Sequence, residues 1–506
     1  MLRLVLRTSP YMEARARFVL EALCTQYRIP LTEQADNATF TLYYGDPAQA
    51  TDDVLGHDGG IIIPLQANTE AFFREHRRFD PVSAIEWGSL RYLFGTSGTV
   101  EQRGRWSVLP VDLIASAFFF LSAYQEWVSD DADEHGRFPA KEMLQVQWGI
   151  EQIPLVDRYF AALIPLLPAS LNITLAPLIG YAPFMVALSH DIDYLYRGHG
   201  STPIIQALQV AAWARSWLTG KAASEKVITT LRGFTQYPYF NLDQIAHQEL
   251  EAGVRATYYF LPQYGVPQRL LQPGAINSDW RYDDFQLLTK RHRGVDADYH
   301  LEDARVMRAL YSLEAQGMEI GLHSGYYSIM DGLLAEDVAR LSQVTPPIQG
   351  MRAHYLRFRV QSLYQQLNSM LADEALSLLY DHSMGIPGCA GYRTGTAYPH
   401  RLFDHDVGQP FETLSIPLHF METWYIPSFK PAEEVEGAWD VLLSMLEATR
   451  QSTGILTVLT HNWLFSEGGV VLYTRLLDYL HQHAGRGIAV KDIAGWWKRR
   501  QDSYGA

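Results

Sequence analysis

Cysteine is scarce in this chain: Cys24 and Cys389 are the only two among 506 residues. Two thiols cannot build a disulfide framework, and such usage fits a reducing compartment. Long basic runs are lacking too, and the formal net charge is −15. Repulsion from phosphates would go unanswered, which sets aside a general nucleic-acid binder. No apolar run reaches the ~20 residues of a membrane span. The nearest approach, Asp112 to Val128, contains Phe118-Phe119-Phe120-Leu121 but also Ser116, Ser122, Gln125 and Glu126. It reads as a buried helix capped by Asp112. Met1 to Arg7 is basic and apolar but too short for a signal-peptide core. A cytoplasmic protein without a transmembrane segment is expected. Internal repeats and low-complexity tracts are missing as well.

What the chain does have is apolar residues, at 47%, and aromatics, at 12%, enough for large cores. Its length suggests two or three domains. Residues 1–180 read as a smaller α/β domain. Leu2 to Leu6, Thr39 to Tyr44 and Ile61 to Leu65 have strand character, and Met12 to Tyr27 reads as a helix. The acidic stretch Ser129 to Pro139 matches no Ca²⁺-loop spacing and reads as a solvated turn. Proline and glycine accumulate from Pro168 to Pro183, where a boundary is expected. In residues 181–506, strands alternate with helices. Strand candidates are Phe184 to Leu188, Ala256 to Leu261, Met318 to Leu322, Ile348 to Tyr355, Leu414 to Leu418 and Ile455 to Leu459. Helices are expected near Leu242 to Ala252 and Glu302 to Gln316, with a helical insert near 200–240, roughly Pro203 to Phe234. Such β-then-α order points to a parallel sheet or barrel with helices outside. Trp496 and Trp497 lie in an amphipathic C-terminal helix and read as core. Trp463 remains open as a sugar platform.

Three strand ends in this half finish in groups suited to a cation and to proton transfer: Asp191 and Asp193, His323, and His461. Strand carboxyl ends are where α/β proteins build sites. A carboxylate with imidazoles is a plausible first shell for Zn²⁺ or a related ion, and a second carboxylate can act as general base on water. Asp-x-Asp at a strand end reads equally as a turn cap, and a lone histidine there as a structural residue. The joint pattern within one repeating frame favours chemistry. Gly391-Tyr392-Arg393-Thr394-Gly395 suggests close backbone approach, with Arg393 either a clamp for a substrate carboxylate or phosphate or a helix-end cap.

Residues from about 183 to 500 resemble the polysaccharide deacetylase family, carbohydrate esterase family four. Ser189-His190-Asp191-Ile192-Asp193 is similar to its first motif in the Asp-x-Asp form, and Arg255 to Phe260 to its second strand. Glu319 to Ser324 resembles the first half of its His-Ser/Thr-x-x-His motif. Gly350-Met351-Arg352-Ala353-His354 resembles Gly-Tyr-Arg-Ala-Pro, Tyr380-Asp381-His382-Ser383 resembles Tyr-Asp-Ser-Ser, and Leu459-Thr460-His461 resembles Leu-x-His. The resemblance implies a distorted (β/α) barrel and a divalent metal, most often zinc. By carry-over Asp191 is the general base, His461 the general acid and Arg352 the group that orients Asp191. Asp193 and His323 become metal ligands. The chain order also resembles bacterial surface-polysaccharide deacetylases that carry an N-terminal domain of unknown function.

One departure stands out. The family's second metal histidine falls where this chain has Tyr327. His354, which stands in place of the family's proline, is the expected third ligand. Tyr327 and Asp381 join Arg393 as expected substrate-binding residues. The function implied is removal of N-acetyl groups from a sugar of a bacterial surface polysaccharide or its precursor, with carbohydrate as partner. Two alternatives follow from the same departure: another amidohydrolase on this barrel, opening a cyclic amide with metal optional, or a catalytically silent binding protein of a polysaccharide pathway.

Overall fold

A computed structural model describes residues 2–29, 31–33, 40–51, 54, 59–196, 239–262, 296–345, 347–376, 378–426, 435–466 and 468–504. The helical insert expected near 200–240 lies outside the described residues, apart from its last two positions. The architecture is mixed α/β, built on two largely parallel sheets. Among the described residues no helix is long and apolar enough to cross a membrane.

The first sheet comes from β1 (Leu2–Arg7), β2 (Leu31–Thr32), β3 (Phe40–Gly45), β4 (Gly60–Pro64), β7 (Glu101–Arg103) and β8 (Trp106–Val108), and β5 (Ile85–Trp87) with β6 (Leu90–Tyr92) forms a separate hairpin. Its order is β2-β1-β3-β4-β8-β7, all parallel except the β7–β8 pair. Ser9 starts the helix Pro10–Tyr27 by accepting the Met12 N–H, with Pro10 at the position where a missing N–H costs least. The expected cap at Asp112 is present: its Oδ1 accepts the Ala115 N–H at 2.9 Å. The helix behind it, Leu113–Leu121, is buried throughout. It does not run on to Val128. Ala123 adopts a left-handed conformation (φ 53°), and a separate turn of helix covers Tyr124–Trp127. The carboxyl ends of β1, β3 and β4 border a cavity of ≈ 680 Å³ lined by Arg7, Asp46, Gln66 and Glu70, among others.

The second sheet contains β9 (Met185–Ile192), β10 (Thr257–Phe260), β11 (Glu319–Ser324), β12 (Gly350–Ala353), β13 (Tyr380–Asp381), β14 (His400–Asp404), β15 (Gln409–Ser415), β16 (Phe420–Met421), β17 (Ile455–His461) and β18 (Arg486–Ile488). Its order is β14-β15-β13-β12-β11-β10-β9-β17-β16, with β18 also paired to β9. Only β14 runs antiparallel to its neighbour. β9 is buried at all eight positions, as a central parallel strand covered on both faces must be. No strand pair among the described residues closes this path into a ring. β15, the last parallel strand on one side, and β16 at the opposite end are nevertheless close, because only residues 416–419 separate them. At ~3.3–3.6 Å per residue that link is short, so the sheet curls. The link bonds to both sides: Ile416 N–H donates to the Asp381 carbonyl, and His419 N–H to Thr457 Oγ1.

The two sheets have separate cores, and the late chain reaches into the early one. Phe403 on β14 sits among Phe18 and Phe118, with ring centroids 5.3 and 5.0 Å away. Asp157 accepts from Thr396 Oγ1 at 2.6 Å and from the Ala397 N–H at 2.9 Å.

Candidate active site

Side chains alternate across a strand, so Asp191 and Asp193 leave β9 on one side and His190 on the other. His190 turns to the outer helices. Its Nε2 lies 2.7 Å from Glu249 Oε1 and its Nδ1 2.9 Å from Thr460 Oγ1. Glu249 also accepts from Tyr258 and Tyr473, which makes this a satisfied structural network.

On the other side, register assembles the site. His461 on β17 stands opposite Asp191, and Arg352 on β12 opposite His323 on β11. Arg352 Nη1 donates to Asp191 Oδ1 at 2.6 Å and Nη2 to Ser189 Oγ at 2.8 Å. The buried guanidinium lies 4.4 Å from the Tyr259 ring centroid and 2.7 Å from His382 Nδ1. Burial, and then the Arg352 charge, hold the His382 imidazole well below its ordinary range, so it meets the guanidinium as an acceptor. Gly321 makes room for the Tyr259 ring: a Cβ there would fall 2.5 Å from it.

Asp193, His323 and His354 each place one candidate ligand atom within 4.8 Å of the others. His323 Nε2 is 3.3 Å from Asp193 Oδ1 and 3.4 Å from Asp191 Oδ2, and His354 Nε2 is 3.6 Å from Asp193 Oδ1. His323 Nδ1 lies 3.0 Å from the Arg352 carbonyl oxygen, which only an N–H can satisfy. In the neutral ring, Nε2 therefore aims a lone pair at two carboxylates. Asp193 Oδ1 is buried with no hydrogen bond. Acceptors facing acceptors away from water require positive charge among them, either a proton on His323, which burial opposes but the Asp191 and Asp193 charges favour, or a bound cation. A divalent cation fits this set of two imidazoles and a carboxylate. Burial works to raise the Asp193 carboxyl, but His354, the His323 contact and His461 together hold it well below the carboxylate range.

Two carboxylates stand behind the imidazoles. His354 Nδ1 lies 3.5 Å from Asp296 Oδ1, and that oxygen also accepts the Tyr326 N–H at 2.7 Å. His461 Nδ1 lies 2.9 Å from Glu422 Oε1, which also accepts the His461 backbone N–H. Its Nε2 is 3.6 Å from Asp193 Oδ2. Burial opposes a charged imidazole here, but the Glu422 charge and bond outweigh it and push His461 up to about 9.

Asp191, Asp193, His323, Arg352, His354 and His461 thus lie together. Two expected substrate-binding residues do not. Arg393, expected to clamp a substrate anion, has its guanidinium buried against Glu126: Nε donates to Oε1 at 2.8 Å and Nη2 to Oε2 at 2.5 Å, while Nη1 takes the Gly385 carbonyl at 2.8 Å. That fork is filled from within the chain. Asp381 is likewise turned inward, accepting from Ser383 Oγ and, at 3.0 Å, from the Tyr364 hydroxyl. Burial pushes its carboxyl up to about 6 despite those bonds. Tyr327 is 2% exposed, packed edge-on to Tyr326 with Arg357 5.0 Å from its ring. Trp463 stands beside His461, ring centroids 5.6 Å apart, and Trp496 and Trp497 are buried in the C-terminal helix Val490–Tyr504. The acidic stretch 129–139 is not a freely solvated turn. His135 Nδ1 lies 2.8 Å from the Tyr326 hydroxyl and Arg137 Nη1 donates to the Tyr355 carbonyl at 2.7 Å. Glu422, Asp296, Ser189 and His382 are site residues that sequence reasoning missed. Only Ser189 and His382 carried a signal, as neighbours of recognised motif positions.

A family of unknown function, DUF7033, matches residues 5–171, the stretch that holds the first sheet. No curated protein matches the chain. Among solved structures, one described as a polysaccharide deacetylase from Mycobacterium smegmatis is similar at 13% identity and a TM-score of 0.37, covering 63% of this chain and 92% of its own. PuuE allantoinase is similar at 13% identity and a TM-score of 0.40, with the same coverages of 63% and 92%. A structure described as a polysaccharide deacetylase from Pseudomonas aeruginosa PAO1 is similar at 12% identity and a TM-score of 0.39, covering 64% of this chain and 93% of its own. At these scores the likeness says nothing of activity.

Proposed function

We propose that the protein is a metal-dependent hydrolase of amide bonds, removing N-acetyl groups from a sugar of a bacterial surface polysaccharide or its precursor. The observation that carries this reading is the convergence of Asp193, His323 and His354 beside an Arg352-held Asp191 and a Glu422-held His461. The motif resemblance supports a sugar amide as the substrate. The same reading takes residues 181–506 as a distorted (β/α) barrel, supported by the short link between β15 and β16, and residues 1–180 as a smaller α/β unit.

Asp193, His323 and His354 would hold the ion, with zinc the first choice for this donor set. Bound there, a divalent cation supplies polarisation of the amide carbonyl and a lowered pKa for water. Asp191 takes the proton of the attacking water. Arg352 fixes the carboxylate for that proton transfer, because its fork bonds Asp191 Oδ1 and Ser189 Oγ at once. His461 gives a proton to the departing amine, and Glu422 fixes its ring so that Nε2 faces the reacting side.

Metal content of the purified chain, read beside acetate release from N-acetylated oligosaccharides and ring opening of a cyclic amide, tests the proposal. About one zinc or related ion per chain is expected. Asp193→Asn should lose both metal and turnover. Asp191→Asn should keep the metal and lose turnover by roughly 10²–10⁴-fold. Normal turnover in both variants would sink the assignment. Cyclic-amide opening without acetate release would move the protein to the other amidohydrolase reading. Saccharide binding with neither metal nor turnover would make it a binding protein.

A further inference from the structure

We propose that residues 129–139 are a built part of this site, with Arg137 as a positioning residue that holds His354 in place; this rests on the reading of His354 as a ligand. Directly after His354 the backbone takes two left-handed steps without glycine, Tyr355 at φ 59° and Leu356 at φ 51°. Each such residue costs of order ~1–3 kcal/mol and persists only where its surroundings over-determine it. The surroundings here come largely from the N-terminal third of the chain. Arg137 Nη1 donates to the Tyr355 carbonyl at 2.7 Å, and its Nε is held by Asp133 Oδ2, also at 2.7 Å. Asp133 Oδ1 in turn accepts the His135 and Arg137 N–H groups at 2.9 and 3.0 Å, so the loop carrying the arginine is itself fixed.

A second arginine closes the clasp from the other side. Arg357 Nε donates to the His135 carbonyl at 2.9 Å and Nη1 to the Tyr326 carbonyl at 2.8 Å. The rings follow the same order: His135 lies 5.2 Å from Tyr355, and Tyr355 lies 4.7 Å from His354. The left-handed pair is thus tied at its carbonyl, at the next side chain and at its aromatic face, all against one loop. Released from that loop, Tyr355 and Leu356 would relax toward negative φ and carry His354 off its line to Asp193. The stretch matched only by a family of unknown function then has one definite role, which is to complete the site of the other sheet.

The test uses the full chain and two readouts, hydrogen exchange of the backbone over residues 350–358 and zinc affinity by chelator competition. Arg137→Ala should exchange about tenfold faster there and bind zinc roughly 10–100-fold more weakly. Arg78→Ala is the control. Arg78 holds the other end of the same loop, at Asp131 and Ser129, and does not touch Tyr355. It should change neither readout. Unchanged exchange and affinity in Arg137→Ala, or equal losses in Arg78→Ala, would overturn the proposal. If Arg137→Ala does not fold, Arg137→Gln removes the fork with less loss of bulk and is held to the same outcomes. A wild type that binds no zinc would end the metal reading, and exchange over 350–358 alone would then decide the clasp.

Discussion

Asp112 and Asp157 in the first core and Asp193 at the end of β9 are all buried carboxylates, and they differ in what faces them. Asp112 meets the Ala115 N–H and the Tyr44 hydroxyl, and Asp157 meets Thr396 and the Ala397 N–H. Burial outweighs those neutral donors and pushes both carboxyls up to about 7. Asp193 is as deeply buried, yet three imidazoles hold it well below the ordinary range. A carboxylate taken out of water among neutral donors drifts toward an uncharged cap, whereas one facing imidazoles stays charged. Burial alone therefore does not set the charge of a buried aspartate; the basic groups that converge on it from neighbouring strands do.

The contrast can be attacked in order of expected effect. The largest effect is expected where the two regions share a charged buried pair. Glu126→Gln leaves the Arg393 guanidinium buried without its anion and should cost about 3–5 kcal/mol, read by denaturant unfolding. A loss under ~1 kcal/mol would show that water reaches the pair and that it is no true buried charge. A smaller effect is expected at Asp157. Its folded pKa of about 7 lies above the unfolded value near 3.8, so the folded state holds a proton the unfolded chain has lost. The stability this proton confers is full below about pH 4 and is lost as pH rises through about 7. Asp157→Asn mimics the neutral acid and should flatten that part of the stability–pH curve. An unchanged slope would mean the carboxyl is charged, and the difference from Asp193 would shrink. The smallest effect belongs to the cavity at the ends of β1, β3 and β4. Gln66→Ala, on its lining, should shift stability by no more than ~0.5 kcal/mol and leave turnover unchanged. Lost turnover there would erase the distinction between the two sets of strand ends.

Much of the candidate cluster was legible because its residues end strands with clear apolar runs: Asp191 and Asp193 after Phe184 to Leu188, His323 after Met318 to Leu322, His461 after Ile455 to Leu459. Each run reports a covered strand, and the polar residue that closes it reports the carboxyl end. Glu422 escaped because its strand, Phe420–Met421, is two residues long and has no period to read. Asp296 escaped because no strand precedes it among the described residues. Arg393 was misassigned because the partner that fills its fork is 267 positions away, and local sequence cannot show a distant anion. The break at Ala123 was also invisible, since neither glycine nor proline announces a left-handed step there. Strands β14 and β13 and the β5–β6 hairpin were too short or too polar to stand out.

Phe403 carries a consequence for how the molecule is made. Its ring completes the core around Phe18 and Phe118, yet in a chain synthesised from the N-terminus it arrives nearly four hundred residues after the first of them. At ~5–20 residues per second that wait is roughly 20–80 s. Until then the first sheet leaves the ribosome with a phenylalanine-sized gap in its interior and apolar surface around it. The core around Phe18 and Phe118 is therefore completed only after β14 has been translated.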